Sequence, residues 1–600
     1  MSRTPLSFLS NFWGSLQQFV LDNFEYIFDS EEKIKNFDNI ILQLAVSGKL
    51  NTQNPNDEPA SELLKKINAE KEKLRQEGRS QTEKILPNIE KELPPFDIPE
   101  NWKWVRLIDV TTFITDYQAN GSFADLKENV KSYDIKNHAV LVRLKDLRKN
   151  LKATSDFIYT DKTGYEYLSK SSLKGGEILV ANVGAGTGTT LIMPEINMPA
   201  TIAPNMFIVY ISEFINKEYF TYYCQSLAYW EQINKLAGGS AQPKMNKTEY
   251  RSVFISIPPL SEQKRIVEIV EKLLSKSAEI KEYLSKRDKK LVKLNQSALH
   301  HLQESKTDED FKKHFNLITD NFNDLYVNQE NLKGLRQTVL QLAVQGKLVP
   351  QNSNDEPASE LLKKIKAEKE KLIKEGKIKK EKPLPPITKA EIPYNLPKNW
   401  ECIKLGELGL INPRNYEEDE KEASFVPMTL IKAEYGAGHA FEKRLWKDIK
   451  SGFTHFAEND ITVAKITPCF ENGKSAVMKN LVNGFGAGTT ELHVFRRVTE
   501  DILPEFILIH FKNAKFLKDG EQKMTGSAGQ KRVPKDYICN YVVGLPSFEE
   551  QKRIVAKVDE LMTLCDQLEE KINKKNKTSE ALIQSVVHNI FNSKKEPVEV

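Results

Sequence analysis

Two short loops carry the side chains best suited to work on a polyanion. One reads GGSAQPKMNK, Gly238 to Lys247; the other reads GSAGQKRVPK, Gly526 to Lys535. Serine, glutamine and asparagine can read base edges, while lysine and arginine grip phosphates. The candidates for nucleic-acid contact are therefore Ser240, Gln242, Lys244, Asn246 and Lys247, with Ser527, Gln530, Lys531, Arg532 and Lys535. A single polar loop of this kind is ordinarily solvated surface. Its recurrence just before the closing strand of two otherwise unlike regions gives the pair its weight.

Other chemistries are poorly served. Glycine-rich GAGTGTT (Gly184–Thr190) and GFGAGTT (Gly484–Thr490) stand at what read as corresponding places. A phosphate-cradling loop must open a helix, but strand-like sequence follows both, and no Walker Lys-Ser/Thr accompanies them. They read as tight inter-strand turns. Cys224, Cys402, Cys469, Cys539 and Cys565 have no CxxC spacing, and their number is odd. That disfavours a disulfide framework or a zinc site and points to a reducing cytoplasm. The nine histidines, His300 and His301 among them, suit packing or solvent. Acidic residues fall in helical runs, where ion pairs four residues apart account for them. Catalytic residues and metal ligands are accordingly read as none, and no cofactor is assigned to this chain.

What positions the loops is a duplication. NDEPASELLKKI occurs at Asn56–Ile67 and again, letter for letter, at Asn354–Ile365, an offset of 298. In the same register LQLAVSGKL (Leu42–Leu50) meets LQLAVQGKL (Leu340–Leu348), and IPENW ending at Trp102 meets LPKNW ending at Trp400. Past the tryptophans the likeness fades. It returns at SEQKRIV (Ser261–Val267) and EEQKRIV (Glu549–Val555), with the offset now 288. A shared scaffold, a variable block and a shared helix thus occur twice. The boundaries read as 1–101 for the first scaffold, 102–259 for the first variable block and 260–305 for the central helix. The second set is 306–399, 400–546 and 547–600.

After each QKRIV, a row at spacings of four and three is mostly apolar, interrupted at Ser277 and Arg287 in the first copy and at Lys575 and Ser579 in the second. Ile266, Val270, Leu273, Ile280, Leu284, Leu291 and Leu294 form one stripe; Ile554, Val558, Leu561, Leu568, Ile572 and Leu582 form the other. Such stripes predict a coiled-coil seam, with antiparallel pairing favoured by the long chain between them. A seam of about 33 residues would be roughly 50 Å long at 1.5 Å per residue. The NDEPASELLKKI segment reads as a shorter helix capped by Asn56 or Asp57, with Leu63, Leu64, Ile67 and Leu74 as its apolar stripe. A proline-rich connector follows each copy, extended by its prolines.

The variable blocks read as mixed α/β with β predominant. Candidate strands are Gly176–Val183, Asn205–Ile211, Ser252–Ile257, Asp460–Ile466, Glu491–Val498 and Asn540–Leu545. Helical runs follow at Lys217–Ile233 and Pro504–Asp519. Six hundred residues exceed one core, and the composition, 40% hydrophobic and 28% charged, is that of a soluble protein. The net charge of +4 makes any basic surface local. The N-terminal stretch Met1–Phe28 is interrupted by polar residues and reads as an amphipathic packing helix; no membrane span is expected.

These pieces together resemble the specificity subunit of type I restriction–modification systems. The likeness rests on LQLAVxGKL, NDEPASELLKKI, the xPxNW opening of each block, the GSAxQ-like loops, and the PLSEQKRIV and SFEEQKRIV exits. It implies an α/β (α+β) architecture: two mixed α/β target-recognition domains, separated by two long helices in an antiparallel coiled coil, with pseudo-twofold repetition. It also implies a non-catalytic, cytoplasmic DNA-binding chain whose domains each read half of a split double-stranded site. Implied partners are two modification subunits that methylate adenine with S-adenosylmethionine, and two ATP- and Mg2+-dependent restriction subunits. The residues agree with that division of labour. An adenine methyltransferase of this class needs Asn/Asp-Pro-Pro-Tyr/Phe, and the nearest matches, LPPF at Leu93 and LPPI at Leu384, lack the amide or carboxylate. Rival readings are a self-sufficient restriction or methylation enzyme, a coiled-coil adaptor without a DNA role, and a half-subunit that must dimerise. The adaptor leaves the divergence of the blocks unexplained, and the half-subunit is disfavoured because both halves share one chain.

Overall fold

The structure is a computed structural model that describes residues 27–51, 53–78, 94–149, 151, 156–237, 242–380, 382–392, 394–527 and 529–592, with side chains to residue 585. All but the last two residues of the expected N-terminal packing helix, Met1–Phe28, and most of the first proline connector, 79–93, lie outside the described residues. The chain divides into two compact units, residues 1–287 with 576–600, and residues 288–575.

Unit 1 opens with helices α1 (Glu31–Val46) and α2 (Ala60–Gln76). Ten strands follow: β1 (Lys103–Arg106), β2 (Thr111–Asp116), β3 (Ala139–Val142), β4 (Ile158–Thr160), β5 (Ser172–Leu173), β6 (Ile178–Ala181), β7 (Thr190–Ile192), β8 (Ala200–Ile202), β9 (Met206–Ile211) and β10 (Phe254–Ile257). Between β9 and β10 lie α3 (Lys217–Tyr223), α4 (Leu227–Leu236) and α5 (Lys247–Ser252), and α6 (Leu260–Glu304) follows. Two four-stranded sheets, ordered β2-β9-β6-β7 and β4-β3-β8-β5, make the block. Among the described residues, only β3 and β8 of this block pair in parallel. The first and last strands, β1 and β10, pair antiparallel with Lys103 opposite Ile257, so the block begins and ends at one place.

Unit 2 has α7 (Asp308–Asp320), α8 (Gln329–Val344) and α9 (Ala358–Lys374). Its strands are β11 (Glu401–Lys404), β12 (Gly409–Ile411), β13 (Glu422–Val426), β14 (Glu442–Leu445), β15 (Thr454–Ala457), β16 (Ile461–Ala464), β17 (Ser475–Val477), β18 (Phe485–Gly488), β19 (Leu492–Arg497) and β20 (Val542–Leu545). Helices α10 (Pro504–Lys512), α11 (Ala514–Lys523) and α12 (Lys535–Asn540) precede β20, and α13 (Phe548–Asn592) closes the chain. The sheets run β12-β19-β16-β17 and β14-β13-β18-β15, with β11 against β20. Strand for strand this repeats the first block, down to the single parallel pair, β13 with β18. All six candidate strands are strands. Each long helical run is broken in two, at the caps Ser226 and Asn513, whose side chains accept from the backbone of the next helix.

The duplicated segments meet one another inside each half. Asp57 does not cap α2; it takes the guanidinium of Arg265 and, at 2.7 Å, the Ser261 hydroxyl. Asp355 likewise takes Arg553 at 2.6 Å and Ser547 at 3.1 Å. The arginine in each case holds the carboxyl below the usual carboxylate range. Trp102 donates its indole N–H to Glu262 at 2.9 Å and Trp400 donates to Glu550 at 2.9 Å. Gln53 and Gln351 complete these glutamates, whose carboxyls burial pushes up. Gly48 and Gly346, at φ +71° and +68°, lie so close to Pro99 and Pro397 that a Cβ would collide at 2.5 and 2.6 Å. LQLAVxGKL, NDEP, PxNW and EQKR therefore form one latch, built twice.

The apolar stripe of the long helices is covered differently from the expected seam. Ile266, Val270 and Leu273 share a core with Ile34, Phe37, Ile41 and Leu44 of α1; Ile554 and Val558 share one with Val339 and Ala343 of α8. A four-three spacing shows that a face is covered without showing by what. The long helices meet farther along: Leu284 shares a core with Ile583 in unit 1, and Leu299 shares one with Leu568 in unit 2, so they run antiparallel. Ile280, Leu291, Leu561, Leu568 and Leu582 are half-buried, Ile572 is buried, and Leu294 is 54% exposed. Ala298, in the extrapolated register, is buried, but Asn295, Leu299 and Leu302 are buried as well, each one residue beyond that register. Each helix has 45 residues, about 68 Å at 1.5 Å per residue.

Candidate nucleic-acid interface

In the antiparallel sheet of the first block, the C-terminal ends of β2 and β6 and the start of β9 lie at one end: Asp116 is opposite Phe207, and Ala181 opposite Met206. The loop before α5 closes against that end. Gly184 N donates to Pro243 O at 2.9 Å, Met245 N to Asn182 O at 2.9 Å, and Lys244 bridges Val183. The second block repeats the frame: Thr467 N donates to Lys531 O at 3.0 Å, Val533 N to Lys465 O at 2.8 Å, and Arg532 bridges Ile466.

The shared bonds fix equivalences that lettering alone obscured. Gln242 corresponds to Gln530, Pro243 to Lys531, Lys244 to Arg532 and Lys247 to Lys535. The loop preceding β10 and β20 is thus in the same 288-residue register as the helices that follow. The glycine-rich pair, by contrast, is not equivalent. Gly184–Thr190 forms the turn from β6 into β7, whereas Gly484–Thr490 is largely strand β18, the counterpart of β8. The true counterpart of 182–189 is 465–474. Glycine marks backbone freedom or close packing, not a place in a fold: Gly486 is tight against the Ser424 carbonyl within the sheet, while Gly184 has an open turn at φ +93°.

Individual candidates fare differently. Ser240 lies outside the described residues. Gln242, Lys244, Ser527, Gln530, Lys531 and Lys535 are exposed. Asn246 has a local task, since its side-chain oxygen caps α5 by accepting from Thr248 N and Glu249 N at 2.9 Å each. Lys247 lies 3.1 Å from Asp116. Arg532 is held in a two-point ion pair by Glu491, at 2.8 and 2.9 Å, which lowers the Glu491 carboxyl. Such a guanidinium is oriented but part-neutralised.

Beside the second loop lies a groove of about 540 Å³ lined by Thr467, Glu471, Lys518, Gln522, Gly529 and Lys531, among others. Its wall, the turn 467–473, is anchored from beneath. The Phe470 ring is buried against Phe516, with Gly520 leaving it room. The buried Lys512 ammonium donates to the carbonyls of Ala433 at 2.7 Å and Gly473 at 2.9 Å, and burial pushes it down to about 7. His493 bridges Val533 O and Asn412 at 2.9 and 3.3 Å. Sequence inspection passed over Glu471, Lys518 and Gln522; only the pairing of 465–467 with 531–533 brings them beside the loop. Cys224, Cys402, Cys469 and Cys565 are free thiols. Among the described residues no cluster of three metal-ligating side chains exists, and no helix is long and apolar enough to cross a membrane.

The family model of the type I restriction modification DNA specificity domain matches residues 99–287 and again 397–577. The chain belongs to this family. The two matches cover the two blocks and the first part of the long helix that follows each. The chain is 53% identical over 248 residues to the EcoAI type I restriction enzyme specificity subunit of Escherichia coli, and 52% identical over 248 residues to the EcoEI specificity subunit. Each match spans 41% of this chain and 41% of the relative. A crystal structure of the HsdS subunit from Thermoanaerobacter tengcongensis aligns over 84% of this chain and all of its own, at 15% identity and a TM-score of 0.39.

Proposed function

We propose that this chain is the non-catalytic specificity subunit of a type I complex, with each block reading one half of a bipartite, asymmetric double-stranded DNA site. The observation that carries the reading is a single contrast: two blocks share one strand order and one loop frame while differing in the exposed side chains that frame presents. A common frame suits a common task, and different side chains suit different half-sites. The exposed lysines would meet phosphate and bear the salt dependence. Amide and carboxylate groups would supply discrimination, about 1–3 kcal/mol for each well-read base pair.

The duplicated scaffold would dock two identical modification subunits, which bring S-adenosylmethionine and methylate adenine. Two ATP- and Mg2+-dependent restriction subunits would complete the assembly in the cytoplasm, and the long helices would set the unspecified spacer. With a net charge of only +4, the chain alone would bind DNA weakly, its partners closing around the duplex. The test is a genome-wide map of methylated adenines with and without this chain. A split, non-palindromic motif that vanishes on deletion supports the reading; an unchanged map overturns it.

A further inference from the structure

The two turns that face the loops differ in one chemically decisive way. In the first block the turn is Val183-Gly-Ala-Gly-Thr-Gly-Thr, with no ionisable side chain. In the second, the equivalent turn holds Glu471, half-buried in the groove wall, and its Oε2 is buried without a hydrogen-bond partner among the described residues. A buried acceptor left without a donor is costly. The turn cannot easily relax to relieve it, since Phe470 is packed in the core and the Gly473 carbonyl is held by Lys512. Oε2 itself is shielded from solvent, and Glu471 meets the groove, flanked by Lys518 and Lys531, with the rest of its half-exposed side chain.

We propose that Glu471 is a specificity-determining residue that accepts a hydrogen bond from the N4 amino group of a cytosine in the half-site read by the second block. The inference rests on the function proposed above. In the major groove only cytosine N4 and adenine N6 are amino donors. Adenine places its N7 acceptor beside that donor, where a carboxylate would be repelled, so cytosine is the better fit. Lys518 and Lys531 are placed to take flanking phosphates. The first block, lacking the carboxylate, reads another base at the equivalent position.

The experiment maps methylated adenines in cells carrying the complete complex with wild-type chain, Glu471→Gln or Lys518→Ala. Glu471→Gln keeps the shape and removes the charge. It should relax one cytosine-containing pair of one half-site by about 5- to 150-fold, the range of a single base contact, leaving the other half-site and the spacing intact. Lys518→Ala should lower methylation at every target with the motif unchanged. A motif unchanged at every position in Glu471→Gln, or relaxed in both half-sites, overturns the proposal, as does a wild-type half-site without a cytosine there. Should Glu471→Gln abolish methylation everywhere, binding of the assembled complex to a panel of single-base variants decides: a lost cytosine preference supports the assignment, and an unchanged ranking overturns it. A wild-type chain whose deletion leaves the methylation map intact defeats the underlying function instead, independently of any variant.

Discussion

The latch and the loop sit within the same unit and have been treated oppositely by the duplication. In the latch, partner and residue are both kept: Asp57 with Arg265 reappears as Asp355 with Arg553, and Trp102 with Glu262 as Trp400 with Glu550. In the loop only the backbone bonds are kept. Pro243 becomes Lys531, Asn182 becomes Lys465, and a glycine turn becomes one bearing Glu471. A contact that consumes both of its side chains internally tolerates little change. A frame held by N–H and carbonyl groups leaves its side chains free to vary, which a reader of different sequences requires.

Breaking the latch should have the largest effect on stability. Arg265→Ala and Arg553→Ala each strand a largely buried aspartate, so each should destabilise its own unit by about 2–4 kcal/mol, toward the lower part of the cost for breaking a buried pair because the arginines are partly exposed. Denaturant unfolding or hydrogen exchange checks this. Equal losses in the two units support equivalent latches, and a loss in one alone would break the comparison.

The next effect is a place where the halves differ inside the core. Tyr223 donates to Phe254 O at 2.7 Å, while His510, on the matching helix α10, has both ring nitrogens buried without partners among the described residues. Burial pushes the His510 imidazole down to about 3 from 6.5. The unfolded chain therefore binds a proton that the folded chain refuses. The associated stability is fully present above pH 6.5 and is lost as pH falls from there toward about 3. His510→Phe should flatten that acid limb, with a gain of about 1.4 kcal/mol for each pH unit below 6.5, and should change little at pH 8. Melting curves at pH 5 and 8 check it; an acid limb as steep as wild type contradicts it.

The smallest effect concerns the loop. Lys531→Ala should reduce the salt slope of DNA binding by about one unit, and Arg532→Ala, whose guanidinium is already paired with Glu491, by less. Lys531→Ala with Arg532→Ala should weaken methylation without disturbing assembly, as read by methylation rate beside size-exclusion of the complex. Lys244→Ala should act alike on the other half-site. Mutations that left the slope unchanged would remove these residues from the interface.

Much of this architecture was legible beforehand because it is local. Val- and Ile-rich runs such as Ile178–Ala181 and Val542–Leu545 are strands, and the duplicated text marked the scaffold. What escaped depends on partners far along the chain. Asp57 looked like a cap because Arg265 is 208 residues away. Leu294 continued a heptad on paper, but the buried row moves to Asn295 where the neighbouring helix changes. Glu471 carried no signal at all; its meaning comes from a turn that touches the loop only after β16 and the 531–533 segment are paired. The loop itself was singled out from residue type as a candidate, and its equivalences could have been read by extending the 288 offset backwards through Gln242 and Gln530.

The most direct test of the central claim exchanges residues 103–257 for the matching block of a relative with a different target. The join lies where β1 and β10 pair, so the scaffold should be undisturbed. Mapping methylated adenines afterwards should show one half of the motif replaced, the other half retained and the spacing preserved. Change in both halves, or in neither, would contradict the account.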